Sequence, residues 1–156
     1  VRSALESNPA IIHFATHVVT APGDFRSGLI ALGLNPAGEM GLLGPKEIVA
    51  RPVTAKLVVM DGCHSAQGEA LPSAGLMGLT RAWIGAGAMS VLATQWGIPD
   101  DSAQTLMTDF YRALRTSPER GAASALRQAQ LRALRNPRAR QYPAEWAGYF
   151  LLSRLL

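Results

Sequence analysis

A chain of 156 residues, 48% of them apolar and 17% charged, has the size and composition of one globular domain, which excludes an intrinsically disordered chain. Gly, Pro or a charged residue interrupts every apolar run, so the sequence predicts no membrane-spanning helix and no membrane partner. The formal net charge is +4 and comes almost entirely from arginine, so a nucleic-acid partner has to be weighed.

Apolar runs separated by turn residues divide the first half of the chain into short elements. In chain order, we predict the end of a helix over residues 3–7, a buried strand over 11–16, an exposed loop over 20–26, a strand over 29–32 that enters a turn over 35–39, and a short helix over 45–50. The strand and turn over residues 29–39 are typical of a surface hairpin.

The second half contains the clearest strand, Lys-Leu-Val-Val-Met over residues 56–60, whose continuous apolar character predicts cover on both faces. We then predict a polar loop over residues 61–73, a helix over 75–86, a buried strand over 89–94, helices over 99–115 and 119–135, and a final strand over 146–152. Because strands alternate with helices, the fold class is α/β with a mainly parallel sheet. We find no domain boundary, so residues 1–156 form a single domain.

The helix over residues 119–135 explains much of the positive charge. On a helical wheel, one arc carries Arg120, Arg127, Arg132 and Arg135, and the opposite arc carries Ala122, Leu126, Ala129, Ala133 and Leu134. This pattern is typical of an amphipathic helix with a solvated basic face, which we favour over a nucleic-acid surface. Gln130 falls on the apolar arc and therefore needs a hydrogen-bond partner.

Two predicted strands end in residues that can do chemistry. The first runs into His13-Phe14-Ala15-Thr16-His17, and the second into Asp61-Gly62-Cys63-His64. A right-handed crossover can place these strands side by side, with their carboxyl ends at one edge of the sheet. The thiol of Cys63 and the imidazole of His17 can then form a nucleophile and acid–base pair. The alternatives are a buried, inert cysteine and a histidine that caps a strand.

The remaining histidines and the setting of the chain are interpreted more simply. We predict that His13 packs in the core or behind the site, and that His64 is structural or faces solvent. No His and Cys spacing matches a zinc site, so we predict no metal and no cofactor. A single cysteine and the lack of a signal peptide predict a cytoplasmic protein, and Val1 in place of an initiator Met predicts a fragment of a longer one.

The order and spacing of several segments across the whole chain resemble the CHAT domain, a caspase-like module usually found beside tetratricopeptide repeats. The matching segments are residues 12–17, 46–48, 57–63, 78–83, 87–96, 110–111, 125–130 and 146–150. The resemblance implies a caspase-like three-layer sandwich, a mainly parallel sheet flanked by helices, without the first strand–helix unit of that fold. It also implies a partner: a tetratricopeptide-repeat domain or an upstream segment.

The same resemblance implies a cysteine endopeptidase of the clan that includes caspases, metacaspases, gingipains and separase. Cys63 would be the nucleophile and His17 the catalytic histidine, acting on a protein or peptide substrate. The backbone N–H groups of Val18 and Gly62 would bind the oxyanion. The family commonly has Gly where this chain has Val18, which keeps the N–H but restricts the backbone.

Asp61 and Trp96 are the predicted substrate-binding residues. The segment Asp61-Gly62-Cys63-His64-Ser65 is closer to the Asp-x-Cys-His-Ser of metacaspases than to the Ser-Ala-Cys common in CHAT domains. In metacaspases that aspartate lines the pocket for a basic side chain, which predicts cleavage after Arg or Lys. The alternatives are an ordinary turn aspartate and, for Trp96, an anchor in the core in place of a wall of the cleft.

A different class of function is compatible with the same fold. Without a first strand, the sheet would have an open edge that can pair with another chain, including a second copy of this one in a homo-oligomer. The chain would then be a latent or non-catalytic interaction module that works with a partner. Fast, His17-dependent alkylation of Cys63 would favour the enzyme, and slow alkylation would favour the module.

Overall fold

The computed structural model describes residues 2–21, 24–34, 37–61 and 73–154. Within these ranges the strands are β1 (Ile11–Phe14), β2 (Val18–Ala21), β3 (Asp24–Leu34), β4 (Met40–Leu43), β5 (Leu57–Met60), β6 (Ser90–Thr94) and β7 (Tyr149–Ser153). The helices are α1 (Arg2–Glu6), α2 (Pro45–Val49), α3 (Ser73–Ala86), α4 (Asp100–Thr116), α5 (Gly121–Arg135) and α6 (Pro137–Gln141). Short 3-10 turns cover Pro118–Arg120 and Pro143–Glu145.

A four-stranded sheet in the order β1-β5-β6-β7 forms the centre of the domain. Strands β1, β5 and β6 run parallel, and β7 pairs antiparallel with β6 at one edge. Ile11 pairs with Leu57 and Phe14 with Met60, so β1 and β5 end at the same level. The prediction of an α/β fold with a mainly parallel sheet is therefore confirmed.

Helices cover both faces of this sheet, and a separate apolar core lies on each side. On one face Ile12, Phe14, Val58 and Val91 pack with Trp83 of α3. On the other face Leu57, Val59 and Leu92 pack with residues of α4 and α5 such as Phe110 and Leu126. All four residues of β5 are buried, as expected for a strand covered on both sides. The result is the layered sandwich that the family resemblance implies.

A second sheet of three antiparallel strands, in the order β2-β3-β4, follows β1. The prediction of an exposed loop over residues 20–26 is wrong, because β2 extends to Ala21 and β3 begins at Asp24. Val18, Val19 and Thr20 are β-branched and favour a strand, and β2 and β3 pair antiparallel. The predicted hairpin around residues 29–39 is confirmed, although β3 is longer than the predicted strand.

The last strand is shorter than the sequence predicts. Asn136 does end α5, and its side chain then accepts hydrogen bonds from the backbone of Arg138 and Ala139, which starts α6. Pro143 begins a 3-10 turn, so β7 starts only at Tyr149 and not at Trp146. Apart from its first and last residues, the predicted loop over 61–73 lies outside the described residues. Among the helices that the structure describes, none is long and apolar enough to cross a membrane.

Candidate active site

The segments that leave β1 and β5 emerge side by side at one edge of the central sheet. Asp61 follows β5 directly, and its backbone N–H donates to the carbonyl oxygen of Phe14, the last residue of β1, at 2.9 Å. His17 lies three residues after the end of β1. This hydrogen bond continues the parallel ladder beyond both strands, so the two segments start from a fixed relative position.

The backbone at His17 is fixed by the second sheet. The hydroxyl of Thr16 donates to the carbonyl oxygen of Ala31 at 2.8 Å, and Ala31 N–H donates to the carbonyl oxygen of His17 at the same distance of 2.8 Å. The chain therefore passes directly from β1 into β2 at this histidine. The His17 side chain is exposed, and it lines a cavity.

That cavity has a volume of about 1180 Å³ and lies between the β1 segment and one side of α4. His13, His17 and Asp61 line it from the sheet, and Tyr111 lines it from α4. The structure thus brings two of the predicted site residues, His17 and Asp61, to the same cavity. Such a concave space is large enough for a peptide side chain and part of its backbone.

The Asp61 carboxylate is held by a residue of the edge strand β7. The hydroxyl of Tyr149, at the start of β7, donates a hydrogen bond of 2.6 Å to Asp61 Oδ1. This distance is typical of a hydrogen bond from an O–H group to a carboxylate. Such a hydrogen bond is roughly twice as strong as one between neutral groups. Asp61 is half-buried, so it combines contact with the protein and access to the cavity.

His13 does not pack in the core, which excludes the first of the two predicted positions; a position behind the site stays a prediction. The alternation along β1 buries Ile12 and Phe14 and leaves His13 exposed on the opposite face. There its Nδ1 lies 3.0 Å from the hydroxyl of Tyr111, and the two rings are tilted with centroids 5.6 Å apart. The other face of β1, with Ile12 and Phe14, packs in an apolar core, and the polar ring of His13 lines the cavity.

The protein around this pair changes the acidity of both groups. Although the ring of His13 keeps contact with solvent, nearby protein atoms displace enough water to lower the pKa of His13 from 6.5, and the charge of Asp61 offsets part of that effect. Loss of water also raises the pKa of Tyr111 to about 12, with a further contribution from Asp61. Near neutral pH, the uncharged forms of both groups are therefore favoured.

Trp96 lies beyond the end of β6, and the described residues that line the cavity do not include it. Its indole Nε1 donates to the carbonyl oxygen of Ala144 at 2.6 Å, and 41% of the side chain is exposed. The ring lies against Gly148, where an added Cβ would come within 2.7 Å of the indole. A role for Trp96 as a substrate wall stays a prediction.

The other predicted site residues divide into two groups. Val18 begins β2 and its side chain is buried. Gly62, Cys63 and His64 lie outside the described residues. In the ranges that the structure covers, no group of three or more His, Cys, Asp or Glu side chains is arranged to hold a metal ion.

Two tyrosines, Tyr111 and Tyr149, were not identified from the sequence. Each is far from its partner in the chain: 98 residues separate Tyr111 from His13, and 88 separate Tyr149 from Asp61. The only signal in the sequence was that Tyr149 falls within the predicted last strand, and that signal does not specify a contact.

Comparison with known proteins agrees with this architecture. The family model of the CHAT domain matches residues 1–154. The chain is 30% identical over 111 residues to tetratricopeptide repeat protein 28 from Mus musculus, and this alignment covers 71% of the chain but 4% of the mouse protein. The human protein of the same name is 29% identical over 111 residues, which again is 4% of its length. The chain belongs to the CHAT domain family, whose fold is caspase-like.

Proposed function

We propose that this CHAT domain is a cysteine endopeptidase in which Cys63 is the nucleophile and His17 the acid–base residue. One observation carries the proposal: His17 and Asp61, which precedes Cys63 by two residues, line one cavity at the ends of adjacent parallel strands. Because Cys63 follows so closely after β5, the chain can bring its sulfur to the same edge of the sheet as the imidazole.

The chemistry of such a pair is peptide-bond hydrolysis in two steps. The Cys63 thiolate attacks the scissile carbonyl carbon, and the His17 imidazolium gives its proton to the departing amine, which leaves a thioester on Cys63. The neutral imidazole then takes a proton from water and becomes imidazolium, the resulting hydroxide attacks the thioester carbonyl, and the carboxylic acid leaves as the C–S bond breaks, which restores the thiolate and imidazolium pair. The atoms and protons balance without a cofactor.

The backbone of Val18 supports a role in binding the oxyanion. Ala31 and His17 are joined by a backbone hydrogen bond, and the next pair in the register is Val18 with Ile30. In an antiparallel ladder the N–H groups of alternate pairs point away from the partner strand. The N–H of Val18 therefore points away from β3, and together with Gly62 N–H we propose that it stabilises the charge on the substrate oxygen.

Asp61 supports specificity for a basic residue before the cleaved bond. A half-buried carboxylate on the cavity wall attracts a guanidinium or ammonium group more strongly than one in bulk water. We therefore propose protein or peptide substrates with Arg or Lys at this position. We also propose that the domain works beside tetratricopeptide repeats, as the names of its relatives suggest, and in the cytoplasm.

Cleavage of matched peptides tests the proposal directly. The peptides are identical except for the residue before the cleaved bond, called the variable position. We expect the full chain to cleave a peptide with Arg or Lys at this position, and we expect Cys63→Ala to abolish this cleavage. Asp61→Asn should lower kcat/KM for the Arg peptide more than for a peptide with Ala at that position, by about tenfold, because it removes a charge-assisted contact. Equal cleavage by wild type and Cys63→Ala would remove the claim.

A second function is favoured by the position of β1. This strand pairs with β5 alone in the described central sheet, and Ile11 on it is 42% exposed. An open strand edge beside a cavity can pair with a strand of a partner or of a second copy. In that case the domain would bind without cleaving, and both wild type and Cys63→Ala would leave the peptides intact.

A further inference from the structure

We infer that Tyr149 is a positioning residue that holds the Asp61 carboxylate for a basic substrate side chain and so determines how strongly Arg is preferred. The inference rests on the proposed function, because it assigns Asp61 to substrate binding. It adds a residue that the family resemblance does not assign and that lies on β7, whereas His17 follows β1 and Asp61 follows β5.

Tyr149 is placed rigidly enough to hold another group. Its side chain is only 3% exposed, and its backbone carbonyl accepts a hydrogen bond of 3.1 Å from Gln130 Nε2 of α5. In the sheet it pairs with Thr94 of β6, and the adjacent N–H of Gln95 donates to the carbonyl oxygen of Gly148. Contacts from both α5 and β6 therefore fix the start of β7.

The hydroxyl of Tyr149 reaches past β6 to the carboxylate that follows β5. At 2.6 Å it occupies one lone pair of Asp61 Oδ1, while Oδ2 makes no hydrogen bond with any residue in the described ranges. A hydrogen bond from a buried donor to one oxygen restricts the rotation of the carboxylate. This restriction favours the paired N–H groups of a guanidinium, which need both oxygens in one orientation.

Two neighbouring groups make this orientation matter. His13 and Tyr111 line the same cavity and lie close enough to Asp61 for its charge to affect them. Without the Tyr149 hydroxyl, the carboxylate can rotate toward these groups, which also offer hydrogen-bond donors. The Asp61 charge would remain, but it would be directed at the cavity wall and not at a ligand.

The alternative is that the hydrogen bond merely stabilises the fold. A purely structural bond would affect Arg and Ala substrates equally, whereas a positioning bond would affect the preference between them. The preference also has to depend on Asp61. The two explanations therefore differ in a selectivity ratio and in the coupling between two substitutions, and not simply in activity.

The experiment uses the full chain and two peptides that differ only in Arg or Ala at the variable position. We expect Tyr149→Phe to lower the Arg-to-Ala ratio of kcat/KM about tenfold, the size of effect typical when a hydrogen bond to a charged group is lost. Tyr142→Phe, which removes a hydroxyl from a side chain that is 53% exposed, is the matched control and should keep the wild-type ratio. In the Asp61→Asn background, Tyr149→Phe should change the ratio by less than about twofold.

Binding to Cys63→Ala separates this inference from the proposed catalysis. We expect this variant to bind the Arg peptide more tightly than the Ala peptide, and we expect Tyr149→Phe to reduce that difference about tenfold. If wild type cleaves neither peptide but this binding pattern holds, the catalysis fails and the inference stands. The inference is overturned if Tyr149→Phe changes kcat/KM or the affinity by the same factor for both peptides, or if neither assay shows a preference for Arg. This holds whether or not the wild type is a peptidase.

Discussion

His13 and Tyr111 form a polar pair on the wall of the cavity, and their ionisation sets how this wall responds to pH. In the folded state the pKa of His13 lies below its ordinary value of 6.5, mainly because the surrounding protein displaces water from the ring. Protonation of His13 is therefore more favourable in the unfolded chain than in the folded one. Lowering the pH therefore decreases the free energy of unfolding through this residue.

We expect the free energy of unfolding of the wild type to fall between about pH 8 and about pH 5 more steeply than that of His13→Gln. Well above pH 6.5 the ring is neutral in both states and contributes no slope; as the pH falls through this value, the unfolded chain takes up the proton first. Urea unfolding at several pH values measures the difference. Parallel curves for the two proteins would contradict this origin of the acid sensitivity.

At the scale of single residues, chain position predicted what lies near a strand end but not what contacts it. His17 and Asp61 were identified because each follows an apolar run, and both line the cavity. The tyrosines that bond to His13 and Asp61 come from α4 and β7, and only the tertiary fold brings them there. For His13 the sequence left a core position and a position behind the site open, because periodicity identifies two faces of a strand without showing which one carries a cavity.

The helix α5 shows how far a periodic pattern describes an element. The four arginines of its predicted basic arc are exposed, and the predicted partner for Gln130 is the carbonyl oxygen of Tyr149. Leu134, however, is 44% exposed. It follows Arg127 by seven residues, which is about two helical turns, so it lies on the side of the basic arc, and its predicted place on the apolar arc is wrong.

This difference along one helix gives a matched pair of substitutions. Leu126 is 7% exposed and packs in the core, so Leu126→Ala should lower the free energy of unfolding by about 2–5 kcal/mol. Leu134→Ala changes the same residue type on the same helix and should cost less than about 1 kcal/mol. Urea unfolding checks both values, and a similar loss for the two variants would show that α5 packs differently.

Other element boundaries depend on interactions that a sequence pattern does not reveal. β7 begins at Tyr149 because its ladder with β6 starts at Thr94, whereas the apolar run in the sequence begins earlier. The adjoining ends of β2 and β3 were predicted as a loop because Pro22 and Gly23, which lie between them in the sequence, are residue types that favour turns. In both cases the strand boundaries were set by pairing with a neighbouring strand, which outweighed the local composition.

For the whole molecule, the parallel order of β1 and β5 is what makes a two-residue site possible. The sequence was sufficient to predict the α/β class, and the family resemblance implied the caspase-like arrangement of layers that the structure has. The chain spans only 4% of the length of the relatives it matches, so the activity of longer proteins that contain this domain stays a proposal.

The reaction rate of Cys63 with iodoacetamide as a function of pH tests the proposed pairing with His17 most directly. In the wild type we predict rapid alkylation well below about pH 8.5, the ordinary pKa of a cysteine, because an imidazolium stabilises the thiolate. His17→Gln should remove this low-pH reactivity and leave a single rise near about pH 8.5. Identical pH profiles for the two proteins would contradict a Cys63–His17 pair, and with it the proposal of proteolysis.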